Sequence, residues 1–348
     1  MGLDPNGLAL VTGGSGFIGG ALVRRLLVLG WKVRVISRST SSVRQDELKK
    51  HIRGPGQLEW CKGDLECLSS IGAAFADVKY VFHVAALVAS TASRDACDKA
   101  NVRATKNVCD LSLRNSVPKL IYVSTCDVFG LPSGAEIITE QTPYRPWNEP
   151  YADSKIRATE VVKAYRSQGL VSSIIYPGWV YGPGDQAFLP AVVRQIRSGL
   201  VPIWSPESFE IHLVFIEDLV DGLLKAAATA DADNDDFLLL DDASGISTRD
   251  LCEQVASYFD LEYRSISVPY QIIYLFACIS QQSVRLGLAK RPLLTTTDVK
   301  SFGYRFRFSA AKARDVLEWS PSTPFVLGIK AALQWHAANS IEPETESV

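Results

Sequence analysis

LALVTGGSGFIGGALVRRLLVLG, residues 8–30, is the stretch whose reading decides the fold. Its first five residues suit a buried strand, and from Phe17 onward the apolar positions recur at helical spacing. Between strand and helix, Gly13, Gly16 and Gly19 form a turn in which backbone amides can approach a pyrophosphate, whose charge a helix N-terminus favours. The spacing GxxGxxG departs from the general GxGxxG fingerprint, so the context of strand, turn and helix carries the reading rather than the glycines alone. Phe17 and Ile18, at the start of that helix, join the three glycines as candidate cofactor contacts.

Outward from this turn the pattern alternates. KVRVIS (32–37) reads as a second strand, followed by LEWCKGDL (58–65), an Ala-rich helix near 68–76, the strand KYVFHVAA (79–86) and a helix from about 95 to 115. KLIYVST (119–125) and VSSIIYPG (171–178) are further strands. Strands alternating with crossover helices predict an α/β protein with a doubly wound parallel sheet, a Rossmann fold, over residues 1–178. Past Gly178 prolines and glycines crowd YPGWVYGPGD, and helices such as TRDLCEQVASYF (248–259) interleave with LVFIEDL and FLLLDD. Residues 179–340 are expected to form mainly a smaller C-terminal lobe for the substrate, with segments near 212–242 returning to the sheet. Residues 341–348 are too polar to fold alone and are expected as a disordered tail.

Composition narrows the function classes. With 348 residues, 47% of them apolar and 21% charged, a net charge of -2 and a pI near 6.1, the chain reads as an ordinary globular protein. Its basic residues are scattered and offset by acids, so nucleic acid is not an expected partner. Seven cysteines without a CxxC pair and four dispersed histidines point to reduced thiols and no metal site. The start, MGLDPNGLALVTGG, lacks the basic flank and apolar run of a secretory signal, and a cytoplasmic location is expected. The apolar run Tyr270 to Ile279 is shorter than the roughly 20 residues that span a bilayer. It is expected as a core helix, with contact to one face of an intracellular membrane the alternative.

The chemistry-bearing residues gather at strand ends. Where NAD-selective proteins of this architecture present a carboxylate to the ribose, this chain has Ser37 and Arg38. A guanidinium pairs with a 2′-phosphate, so NADP(H) is favoured over NAD(H). GDL places Asp64 and Leu65 after the third strand, towards the adenine. YADSKIRATE (151–160) sets Tyr151 and Lys155 one helical turn apart, where the ammonium favours the phenolate of a side chain with a free pKa of about 10. Thr125, with Ser124 second, ends the fifth strand with a hydroxyl at the carboxyl edge, where such sheets bind ligands.

TGGSGFIG, GDL, HVAA, NVRATKNV, YVSTCDVFG, YADSK and YPGWVYGPGD, in that order and over nearly the whole chain, resemble the pattern of the extended short-chain dehydrogenases/reductases. Residues 290–333 and the apolar run at 270–279 are similar to the 3β-hydroxysteroid dehydrogenase branch. The resemblance implies that Tyr151 is the acid/base, that Lys155 lowers its pKa and binds the nicotinamide ribose, and that Thr125 orients the substrate oxygen. It sets Asn101 in the NV motif and His83, Ala85, Ala86 and Pro177 along the cofactor. The chain departs from the pattern at Tyr176, where the family usually has Arg, at Thr125, a replacement for Ser, and at Ser37, where Asp is commoner. The resemblance further implies an NAD(P)-dependent oxidoreductase that interconverts a secondary alcohol and a ketone on a small hydrophobic substrate, a 3β-hydroxysteroid, sterol or terpenoid, in a chain able to pair as a homodimer. The competing readings are a dihydroflavonol-reductase-like ketone reductase, a nucleotide-sugar epimerase or dehydratase using Arg194, Arg197 and Arg249 for the diphosphate, and an NADP(H)-sensing scaffold.

Overall fold

The computed structural model describes residues 7–39, 42–53, 56–88, 92–132, 136–203, 209–289 and 292–339, so the expected tail at 341–348 lies outside the described residues. Seven parallel strands form the main sheet: β1 (Leu8–Thr12), β2 (Lys32–Ser37), β3 (Gln57–Lys62), β4 (Val78–His83), β5 (Lys119–Val123), β6 (Ser172–Pro177) and β10 (Asp236–Leu239), in the order β10-β6-β5-β4-β1-β2-β3. The chain winds outward from β1 to β3 and then in the other direction from β4, so the crevice lies between β1 and β4. Two smaller parallel pairs belong to the second half: β7 (Trp179–Tyr181) with β9 (Leu213–Phe215), and β8 (Leu200–Ile203) with β11 (Arg264–Ser267).

Helix α1 (Phe17–Val28) buries Leu22, Val23, Leu26 and Leu27 against the sheet. It stops two residues earlier than its apolar pattern suggests. Gly30, at φ +83°, turns the chain so that its own amide reaches Leu27 O and the Trp31 amide reaches Leu26 O, a glycine-capped helix end. Short helices α2 (Ser42–Lys49) and α3 (Leu68–Ile71) follow the next two strands. The expected helix near 95–115 is observed as α4 (Arg94–Cys97), a π turn (Asp98–Arg103) and α5 (Ala104–Arg114). Helix α6 (Pro150–Arg166) begins on a proline suited to its first turn and packs along α5. The second half adds α7 (Phe188–Arg197), α8 (Ile216–Ala228), α9 (Thr248–Phe259), α10 (Tyr270–Arg285), α11 (Thr296–Gly303), α12 (Ala311–Leu317) and α13 (Phe325–Asn339).

One expectation is overturned here. The run 270–279 is helical, but it is not a core helix: Ile272, Leu275, Phe276 and Ile279 face outward. Only its other edge, Ile273 and Ala277, is buried, in a small cluster with Val299 that is separate from the main core. The main core is already closed over the sheet, and α10 rests on α11 at its margin. No helix among the described residues is long and apolar enough to cross a membrane.

Asp236 locks β10 to α6 and β6. Its carboxylate takes Arg166 at 2.7 Å, Lys163 at 2.8 Å and the Tyr176 hydroxyl at 2.9 Å. Burial alone would raise this carboxyl, but Arg166 and Lys163 outweigh it and hold it below the usual range. Asp236→Ala should therefore lower the unfolding free energy by about 3 kcal/mol, since it strands a half-buried cation pair and a phenol. A group with a depressed folded pKa contributes fully above its unfolded value and loses that contribution as pH falls through the folded value. Urea melts of variant and wild type should differ at neutral pH and converge in acid; a constant gap would reject this ion-pair account.

Candidate active site

The glycine turn is built by close approach. Gly13 sits at φ +72°, and a Cβ there would stand 2.9 Å from both the nitrogen and the Cα of Ala85. At Gly19 a Cβ would lie 2.2 Å from Gly13 O, while the Gly16 amide closes the turn on that same oxygen at 2.9 Å. Behind Gly16, α1 begins with no side-chain cap and no acid in its first turn. Helix N-termini leave such amides seeking an acceptor, and the first turn, with Phe17 and Ile18, fits the pyrophosphate of a dinucleotide. The Phe17 ring lies against Gly184, at the far side of the turn. Arg38, exposed just past β2, and Asp64, exposed just past β3, lie at the same carboxyl edge of the sheet. The Asp64 carboxylate accepts from the Glu66 amide at 3.0 Å, and Leu65 O accepts from Asn107 at 2.8 Å.

His83 does not line this crevice. It is fully buried, with Nδ1 2.7 Å from the Thr12 hydroxyl and Nε2 2.9 Å from that of Thr105. Thr105 donates to Asn101 O, which makes its oxygen an acceptor for His83 and places the ring proton on Nε2. Burial, then the charge of Lys155, pushes the imidazole down to about 3, so it stays neutral. Its work is to fix Thr12, whose hydroxyl accepts from the Ala85 amide at 3.2 Å, leaving Ala85 against Gly13 and Ala86 exposed beside it. Pro177 is buried in register with Leu239, and Tyr176, which stands where the family has Arg, bonds Tyr144 and Asp236 instead.

The catalytic candidates meet where α6 crosses the end of β5. The Tyr151 and Thr125 hydroxyls are neighbours, and Thr125 Oγ1 accepts from the Asp127 amide at 3.2 Å. Ser124 is separate from them: its hydroxyl pairs with Thr159 at 2.8 Å inside the sheet–helix interface. Lys155 is almost completely buried; it donates to Val123 O at 2.8 Å and stands 4.3 Å over the Tyr122 ring. Asn101, carried inward by the π turn, binds both the amide and carbonyl of Leu87 and donates to Ser154, whose hydroxyl donates to Tyr151 O.

The electrostatics differ from the expectation that Lys155 lowers the phenol's pKa. Burial, and next the Asp127 carboxylate, hold Tyr151 above its ordinary value, because both disfavour a phenolate. Lys155 itself is pushed down to about 7 by burial. Burial thus disfavours the charged form of both groups, and the Lys155 amine is held by the Val123 carbonyl.

A narrow cleft, open to solvent, lies beside these groups. Cys126 and Asp127 line it next to Thr125, and Trp147, Trp179, Phe188, Phe302, Phe306 and Phe308 share its wall with the polar Glu210, His212 and Ser301. Trp147 stacks on Phe306 with centroids 6.1 Å apart, and Trp179 meets Phe188 and Phe302 edge-on. Among the described lining residues none is Lys or Arg; Arg197 lies instead over Phe259 of α9. Sequence reading missed Asp127 and these aromatics. The one available signal was the DVF that follows Thr125; the rest come from four separate segments. Burial raises the Asp127 carboxyl to about 6, with the Thr125 hydroxyl opposing.

The family described as NAD dependent epimerase/dehydratase matches residues 9–239. Short-chain dehydrogenase/reductase family 42E member 1 of Bos taurus is 28% identical over 363 residues, covering 97% of this chain and 88% of the relative. The 3beta-hydroxysteroid-dehydrogenase/decarboxylase isoform 1 of Arabidopsis thaliana is 25% identical over 359 residues, covering 97% and 82%. Among solved structures, DesIV, a dTDP-glucose 4,6-dehydratase from Streptomyces venezuelae with NAD and TYD bound, superposes with a TM-score of 0.74 at 21% identity, covering 95% of this chain and 97% of that one.

Gly13→Ala should weaken nicotinamide dinucleotide binding by tenfold or more, roughly, because the new methyl needs both a left-handed backbone and the space of Ala85. Fluorescence titration with NADPH and NADH checks this, and unchanged affinity for both would remove the turn from the cofactor site.

Proposed function

The chain belongs to the NAD dependent epimerase/dehydratase family as an extended short-chain dehydrogenase/reductase, an oxidoreductase acting on CH–OH groups, and from that premise we propose that its substrate is a bulky apolar alcohol or ketone of the 3β-hydroxysteroid or sterol class. The observation that carries the reading is the aromatic cleft beside the Tyr151–Thr125 pair. Six aromatic side chains offer a flat, rigid, apolar surface suited to a fused-ring skeleton. A sugar nucleotide would need cations for its diphosphate, and the described lining has none.

A nicotinamide dinucleotide held at the Gly13–Gly19 turn would supply or accept the hydride. Thr125 and Tyr151 hold the substrate oxygen between their hydroxyls, and Tyr151 gives that oxygen its proton in reduction or takes it in oxidation. Arg38, past the end of β2 and free of a carboxylate neighbour in sequence, supports NADP(H) over NAD(H) as the carrier.

The deciding measurement is nicotinamide absorbance with 3-oxo and 3β-hydroxy steroids, flavonoid ketones and UDP-sugars. Steroid turnover that falls by about a thousandfold in Tyr151→Phe is expected; turnover confined to UDP-sugars would reject the reading. Arg38→Asp should weaken NADPH by about tenfold and leave NADH little changed. Asp127→Asn should move the tyrosine-dependent limb of the kcat/KM profile for alcohol oxidation to lower pH, because the carboxylate that opposes the phenolate is gone. An unmoved limb would take Asp127 out of the tyrosine's field.

A further inference from the structure

Trp147 is held at every polar atom it has. Its amide donates to the Asp153 carboxylate at 3.0 Å, its indole Nε1 donates to Asp127 O at 2.6 Å, and its carbonyl accepts from Lys300 Nζ at 2.9 Å. The residue is 5% exposed, and its ring stacks on Phe306 with the planes 9° apart. Asp153 is fixed in turn by Arg94 of α4 at 3.0 Å. Four anchors leave the indole one position, on the cleft wall beside Cys126 and Asp127.

The anchors come from three directions. Asp153 lies on α6 two residues after Tyr151, Asp127 lies two residues past Thr125, and Lys300 lies on α11 in the second half of the chain. Lys300 also reaches Glu149 Oε1 at 3.4 Å, and the Thr296 hydroxyl of the same helix donates to that oxygen at 2.9 Å. Between Trp147 and Glu149, Asn148 takes a left-handed backbone at φ +63°, a conformation asparagine tolerates better than most residues. The ammonium thus grips both sides of a one-residue kink that leads into Tyr151. Both side chains of the Lys300–Glu149 pair are nearly buried, so solvent ions screen it little. The next residues of α11, Ser301 and Phe302, line the cleft.

A ring fixed in this way gives a flat substrate a face to lie on and sets where its oxygen stands relative to Tyr151 and Thr125. We infer that Trp147 is the specificity-determining residue of the cleft, seating the fused rings of the substrate, and that Lys300 is its positioning residue. The inference rests on the polycyclic substrate proposed above and names the side chain that selects it. A one-ring ketone offers the indole little surface, so the indole should matter less to it.

The test is steady-state kinetics of the full chain with NADPH and either a 3-oxo steroid or cyclohexanone. In Trp147→Leu the steroid KM should rise roughly tenfold more than the cyclohexanone KM, while NADPH affinity stays at the wild-type value. Trp147→Phe keeps a ring and should recover most of that difference. Lys300→Met should raise the steroid KM more than it changes kcat, and Lys300→Arg, which still offers a donor to both acceptors, should restore it. Since Lys300→Met leaves Glu149 without its cation, the double variant with Glu149→Gln carries the same readout free of an unpaired buried charge. Equal rises for steroid and cyclohexanone in Trp147→Leu, or a steroid KM that Lys300→Met and the double variant leave unchanged, overturn the inference alone. A wild type that turns over no steroid overturns the proposed substrate class, and the inference falls with it.

Discussion

The backbone of Ala85 occupies the space in which a Cβ on Gly13 would stand, and the architecture of the site depends on that approach. It brings the end of β4 against the turn after β1, at the position where the sheet reverses its winding. A parallel sheet presents all its carboxyl ends on one edge, so whatever loops meet there define the ligand crevice. Any side chain at Gly13 would push the β4 loop away and open α1 from the sheet edge. The second close approach, Gly19 on Gly13 O, keeps the first turn of α1 within reach of the same crevice.

From that contact a run of buried polar groups leads to the catalytic helix. Ala85 donates to Thr12, Thr12 meets His83, His83 meets Thr105, and Thr105 donates to Asn101 O. The Asn101 side chain then donates to Ser154, and Ser154 donates to Tyr151 O. Each member is satisfied, which in a low-dielectric interior makes the network stiff rather than costly. The π turn at Asp98–Arg103 earns its irregular geometry here, because it delivers Asn101 to both Leu87 and α6. Cofactor turn and acid–base residue are thereby held in one frame.

Reading the sequence located this frame better than its electrostatics. The spacing of Tyr151 and Lys155 correctly put both on α6, yet spacing says nothing of what the ammonium meets. In the structure it meets the Val123 carbonyl and the Tyr122 ring, and burial rather than the lysine dominates the state of the phenol. His83 was legible as a residue after the fourth strand but not as a buried linker, since that role needs Thr12 and Thr105 from other elements. Sequence put Thr125 first and Ser124 second; just past the end of β5, Ser124 turns towards Thr159 and Thr125 stands beside Tyr151.

What the sequence determined by itself is the local and periodic part: the glycine turn between strand and helix, the alternation that builds a parallel sheet, the helical Tyr–Lys pair and the family pattern. Each of these is written within a few neighbouring residues, where backbone sterics and side-chain periodicity act directly. Only the tertiary structure decided that Asp127 and six aromatics share one cleft, that His83 is structural, and that α10 turns its apolar stripe outward. Those outcomes depend on which distant surfaces meet first and what room is left, and an apolar run such as YQIIYLFACI reads the same whether the core has space for it or not.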